Sequence, residues 1–431
     1  MPETFPLSFD KTALFLYIYQ NMLLLKKAIL TSTIILFTVF AFTSCAGKKG
    51  MIREGRQPFP APTHIHTQIP KTSISTNTVT MFRGNNTRTF YGTGKVPSKP
   101  KALWTFQTSI FTQRNNRNLW TGTGWTGQMN LINDRLYVTS VDSRLYCLNP
   151  KDGSVHFIHK AGSSIKSSSC IYEDKVYYGS RDHTFTCLNR MTGEVLWKIR
   201  SWADVDSSAC VYDGRLYVGF EDTRMMCLNP DTGDILWQKK LPASIESSPA
   251  LFNHFLVISA SNGMTYCLNR TNGQTIWSFK TGRDTDSSAV ISDEKIYVGS
   301  ENGKVFCLDF SGNLVWEYQT GKGVWATPAV KNGRVYIGSD DDYFYCLDAL
   351  TGSLVWKFKC GGPIWGSANV VGDSIVFGCI DKNLYCLDLN GNLSWTFLTG
   401  GPIFSSPIIV DDVIYIGARD GTLFAIGEDS E

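Results

Sequence analysis

Eight positions spaced about 40 residues apart carry side chains that could bind a ligand or exchange protons: Trp125, Lys166, Asp206, Glu246, Asp286, Trp325, Trp365 and Phe404. Most stand directly before a short run of small residues, as in "DSSA", "ESSPA", "ATPA" and "GSA". Three consecutive carboxylates, with Asp204 and Asp284 two residues upstream of two of them, suit a cation. A cation-binding role such as Ca²⁺ would need about six oxygens around it. The aromatic members offer apolar faces and π clouds that also attract cations. Together they predict a surface for a partner segment or a ligand with basic and apolar parts. The competing reading is a filled channel with acids facing water.

Other chemistry finds little support. The six histidines are scattered, with no metal spacing, and no Ser-His-Asp order is visible. His64 and His66 lie in a polar stretch and are read as solvated, so no metal site is expected. Neither Cys-x-x-Cys nor Cys-x-x-Cys-His occurs, which speaks against zinc, redox-motif and haem readings. No catalytic residue and no cofactor are expected. The net charge of +3 on 431 residues gives no electrostatic footprint for nucleic acid.

What must position the eight residues is a repeat. Trp197, Trp237, Trp277, Trp316, Trp356 and Trp395 recur at about 40 residues, each after a glycine turn. Trp104 extends the series upstream, and His156 is assigned the place one period before Trp197. A period of that size marks an array of supersecondary units. Each unit divides into four short strands; Ser247 to Trp277 reads "SSPALF", "HFLVISA", "MTYCLN" and "QTIWSF" between turn residues. Apolar residues run on without clean alternation, as in strands covered on both faces. Eight hairpins of the type "IYVGSENGKVFCL" can be counted. The last lacks an outer strand, while Trp104 has a strand and no blade. The prediction is an all-β, eight-bladed β-propeller of four-stranded blades, closed by the N-terminal strand around Trp104. Seven blades with stray ends is the alternative. Cys147, Cys187, Cys227, Cys267, Cys307, Cys346 and Cys386 fall in the third strands, one per blade, too far apart for disulfides. They are expected to serve as small buried packing residues.

The phrase "CLNPDTGDILW" resembles the tryptophan-docking repeat of the pyrroloquinoline-quinone (PQQ) propeller superfamily, with Cys in the usual place of Ala. The opening "FRGNNTRTFYGTG" is similar to the lead-in of many such chains. The resemblance covers about 80–431. It implies that Trp104, Trp197, Trp237, Trp277, Trp316, Trp356 and Trp395 each wedge between adjacent blades. Its quinone dehydrogenases carry an adjacent Cys-Cys pair and long inserts, both missing here.

The N-terminus supplies an address. Lys26 and Lys27 precede an apolar run, Ala28 to Phe42, and then "TSC" ending at Cys45. This layout reads as a secretory signal over 1–44, with Met22 an alternative start, and lipidation of Cys45. An uncleaved anchor is the rival. Residues 45–79 are Pro-, Thr- and Ser-rich and read as a tether before the propeller at 80–431. Lipobox, tether and short-looped blades resemble the B-subunit lipoproteins of outer-membrane β-barrel assembly. The expectation is a non-catalytic, extracytoplasmic binding or scaffold propeller with a protein or peptide partner, held to a bacterial membrane, the outer membrane favoured. A glycan- or small-ligand-binding surface protein and a PQQ-dependent dehydrogenase are the other two readings.

Overall fold

In a computed structural model of the chain, residues 78–89, 91–109, 127–284 and 286–429 are described. The signal segment, Cys45, Trp125 and nearly all of the tether lie outside them. The regular elements among the described residues are strands. Each repeat folds as an antiparallel meander, such as Ala250–Phe252, Phe255–Ala260, Met264–Asn269 and Thr275–Lys280 in blade 4. The second and third strands are buried almost throughout, because neighbouring blades cover both faces. Outer strands such as Thr275–Lys280 are exposed on alternate residues.

Eight such sheets are present, and the closure is as expected. Pro100–Gln107 pairs with Thr422–Glu428 and becomes the outer strand of blade 8. Trp395 of blade 7 then finds its partner on the lead-in, donating to the Pro97 carbonyl at 2.7 Å.

The tryptophans dock between blades. Each indole N–H donates to a turn carbonyl of the next blade: Trp104 to Pro150, Trp197 to Pro230, Trp237 to Arg270, Trp277 to Phe310, Trp316 to Ala349 and Trp356 to Leu389. Pro230 O also accepts the Tyr177 hydroxyl, so one carbonyl anchors two rings from the preceding blade. The ring face lies on the turn glycine. A Cβ at Gly352 would come 2.5 Å from Trp316 Cδ2. Six of the seven third-strand cysteines pair with these tryptophans, and all seven are buried and unbridged.

One assignment is corrected. In blade 1 the docking residue is Phe157, paired with Cys147 and packed on Gly193, and not His156. The register slips just before the docking position in each blade, through a β-bulge that pushes one residue outward. His156 occupies that extra position and is exposed. The tether also ends slightly earlier than expected. Thr78–Val79 form a short strand on the channel side of blade 1, where Val79 is buried.

The lead-in then crosses the channel. Its backbone bonds to the innermost strands of blades 2, 4, 5 and 8, at Ile171, Leu251, Ile291 and Ile409. Arg83 and Arg88 are both 0 % exposed. Arg83 donates to Ala368 O, Asn369 Oδ1 and Pro328 O, and Arg88 to Phe82 O and Pro249 O. Burial pushes both guanidinium pKa values down from their usual range. Carbonyl dipoles replace water around these charges, as buried ions require.

Candidate functional site

The small residues preceding the innermost strands do more than fit a crowded axis. The Gln128 N–H donates to Ser168 Oγ, and the pattern continues through Ser208, Ser248, Ser288, Thr327, Ser367 and Ser406. This belt of N–H···O bonds ties adjacent blades together and fixes the height of the residue two places before each accepting hydroxyl. Seven of the eight predicted site residues stand there; Trp125 lies outside the described residues.

At the belt opens a small recess, lined on one side by Phe82 of the lead-in. Glu246, Asp286, Trp325, Trp365 and Phe404 line it. The lead-in occupies the channel beside this recess.

The aromatic arc is a packed unit. Trp325 and Trp365 have ring centroids 6.0 Å apart, and Trp365 and Phe404 4.9 Å apart, all tilted. Asp340 Oδ2 accepts the Trp325 indole N–H at 2.8 Å, and Oδ1 accepts that of Trp365. The Arg419 guanidinium lies over Phe404, 4.7 Å from its centroid.

The acidic arc is an ion-pair network. Lys166 Nζ lies 2.8 Å from Asp206 Oδ2, and Asp206 is 7 % exposed. Asp206, Glu221 and Glu246 bring oxygens within 4.8 Å of one another. The Lys166 ammonium already lies against one of them, Asp206. Arg181 and His183 both reach Asp204. Burial, followed by the neighbouring carboxylates, raises Glu221 from 4.5 and Asp286 from 3.8, each to about 8. Glu246 and Glu301 are raised for the same two reasons. Around neutral pH the arc thus holds protons that a bound cation would displace.

The sequence reading missed a second ring. A residue one or two places past the second strand donates its N–H to the loop ahead of the predicted position: Arg181 to Ser164, Glu221 to Asp204, Glu301 to Asp284, Asp340 to Gly323 and Arg419 to Pro402. That repeated bond brings Glu221, Glu301, Asp340, Arg181 and Arg419 to the mouth. The signal was present as the variable residue following "GS" or its equivalent in every hairpin.

A family model described as "Beta-alanine-activating enzyme, beta-propeller" matches residues 203–431. Among solved structures, BamB from Moraxella catarrhalis is 18% identical, with a TM-score of 0.60 over 76% of this chain and 98% of that one. A europium-containing methanol dehydrogenase is 13% identical, with a TM-score of 0.68 over 80% and 90%. The quinohemoprotein alcohol dehydrogenase from Comamonas testosteroni is 12% identical, with a TM-score of 0.68 over 82% and 81%. At such identities the likeness establishes the propeller fold, which binding proteins and redox enzymes share. No curated protein matches the sequence.

Proposed function

We propose that this chain, which belongs to the propeller family of the beta-alanine-activating enzyme, is a non-catalytic binding module whose mouth docks a cationic, partly apolar segment of a partner protein. One observation carries the reading: Trp325, Trp365 and Phe404 face Glu246 and Asp286 across a single recess. Aromatic faces attract a cation and cover its apolar neighbours, while the carboxylates supply the counter-charge. Clustered aromatics of this kind are the usual anchors of recognition surfaces.

The resemblance to assembly-complex lipoproteins gives the proposal a place. Lipidated Cys45 and the tether up to residue 77 would hold the propeller to the outer membrane outside the cytoplasm, with a role in outer-membrane protein assembly.

The absence of a cofactor is part of the proposal. A quinone carrying several carboxylates would meet Glu246 and Asp286 in this recess, with Asp206 and Glu221 beyond them. The buried Arg83 and Arg88, which could have balanced it, direct their terminal N–H groups at backbone carbonyls. A glycan reading draws on the Trp325–Trp365 pair, and loss of glycan binding on Trp365→Ala would favour it.

The test is a titration with benzyltrimethylammonium, a permanently charged aromatic cation. Binding is expected to weaken by about tenfold in Trp365→Ala and in Asp286→Asn, the worth of one cation–π or ionic contact. Equal affinity in all three proteins would overturn the reading. Crosslinked capture from native membranes would then identify the macromolecular partner.

A further inference from the structure

Two cysteines stand apart from the packing series. Cys360 follows the outer strand Leu354–Lys359 of blade 6, and Cys379 follows the second strand Ser374–Gly378 of blade 7. They are 5 % and 0 % exposed and belong to one apolar cluster. Cys379 Sγ lies 3.2 Å from Gly362 O and 3.5 Å from Pro363 O, over the turn that Cys360 begins. Both thiols are free, and the neighbouring Cys379, ahead of burial, pushes the Cys360 thiol up from its usual range.

The repeat supplies an internal ruler. One blade earlier the same two places hold Thr320 and Ser339, with hydroxyl oxygens 3.3 Å apart. A backbone that brings two γ-atoms to that separation also suits the short Cβ spacing of a disulfide. The third-strand cysteines, by contrast, each face an aromatic ring of their own blade.

We propose that Cys360 and Cys379 form a disulfide that staples blade 6 to blade 7 directly below the mouth. The bond forms by exchange. One thiolate attacks a disulfide oxidant, such as oxidised glutathione or a dithiol oxidoreductase. The mixed disulfide is then displaced by the second thiolate. Two protein thiols lose two hydrogens, and the oxidant is reduced to two thiols. Because both sulfurs are buried, exchange takes place during folding. The staple closes the loop that carries Trp365, five residues beyond Cys360, and so bears on the aromatic arc.

The test uses the full chain, refolded with a mixture of oxidised and reduced glutathione, then denatured and alkylated without reduction. Trypsin releases 360–382 as one peptide containing both cysteines and no internal Lys or Arg. The expected result is an unalkylated peptide two hydrogens lighter than its reduced form. Adding reductant should also lower the melting temperature of the wild type and leave Cys360→Ser unchanged; that variant restores the hydroxyl found one blade earlier and keeps the fold. A peptide doubly alkylated after oxidative refolding would overturn the proposal, as would a disulfide joining other cysteines with this peptide reduced. Neither readout requires a ligand at the mouth.

Discussion

Trp325 and Trp365, one blade apart, are coupled through a single carboxylate: each indole N–H takes one oxygen of Asp340. A carboxylate between two blades therefore sets the tilt of the aromatic wall. The wall is preorganised, and a ligand need not order it on binding.

Asp340→Asn tests that coupling. The amide keeps one acceptor and turns a donor toward the other indole, so one tryptophan loses its hold. Tryptophan emission should shift, and benzyltrimethylammonium affinity should fall roughly three- to tenfold, about 1 kcal/mol. The melting temperature should change little, because the belt below is untouched.

Asp286 and Glu221, both raised to about 8, make stability depend on pH in a defined sense. The folded state binds more protons than the unfolded chain between their ordinary values and about 8. Stability therefore falls as pH rises through that window. Melting curves should show a decline from pH 5 to pH 9, flattened in Asp286→Asn. Affinity for the quaternary ammonium probe should move oppositely, tightening as the carboxylates ionise.

Arg88→Met probes the channel plug. The variant strips Pro249 O and Phe82 O of their buried donors. Loss of a buried donor costs about 1–3 kcal/mol for each group left unpaired. The denaturant midpoint should drop correspondingly, measured by urea titration, with the strand content of the folded baseline unchanged.

Gly352→Ala probes the docking wedge. Its φ of 72° disfavours a side chain, and the added carbon would meet the Trp316 ring. Destabilisation of roughly 1–3 kcal/mol is expected from strain and overpacking. Circular dichroism melts would register it; a wild-type midpoint would show that the contact can relax at no cost.

The propeller was legible because its packing is written eight times. Tryptophan period, glycine turns and unbroken apolar strands all point to blades covered on both faces, and the orphan strand at Trp104 gives away the closure. The bulge was not legible: it shifts pairing by one residue without changing composition, which is why His156 was chosen over Phe157. Half of the mouth was readable as a row of variable residues before the serines. The other half, Glu221, Glu301 and Asp340, comes from a second row that only a cross-loop backbone bond brings alongside the first. The plug was visible only as a lead-in. The partners of Arg83 and Arg88 are backbone carbonyls, which no side-chain pattern announces.

The closing strand sets a chronology. Pro100–Gln107 is synthesised well before its partner Thr422–Glu428; the Thr108 hydroxyl and Gly421 O that seal the junction are 313 residues apart in sequence. Until that partner exists, Pro100–Gln107 has no ladder and the ring has two open ends. Contacts of such long separation form slowly. The chain must therefore be kept from pairing those open edges with other molecules until Thr422–Glu428 has docked.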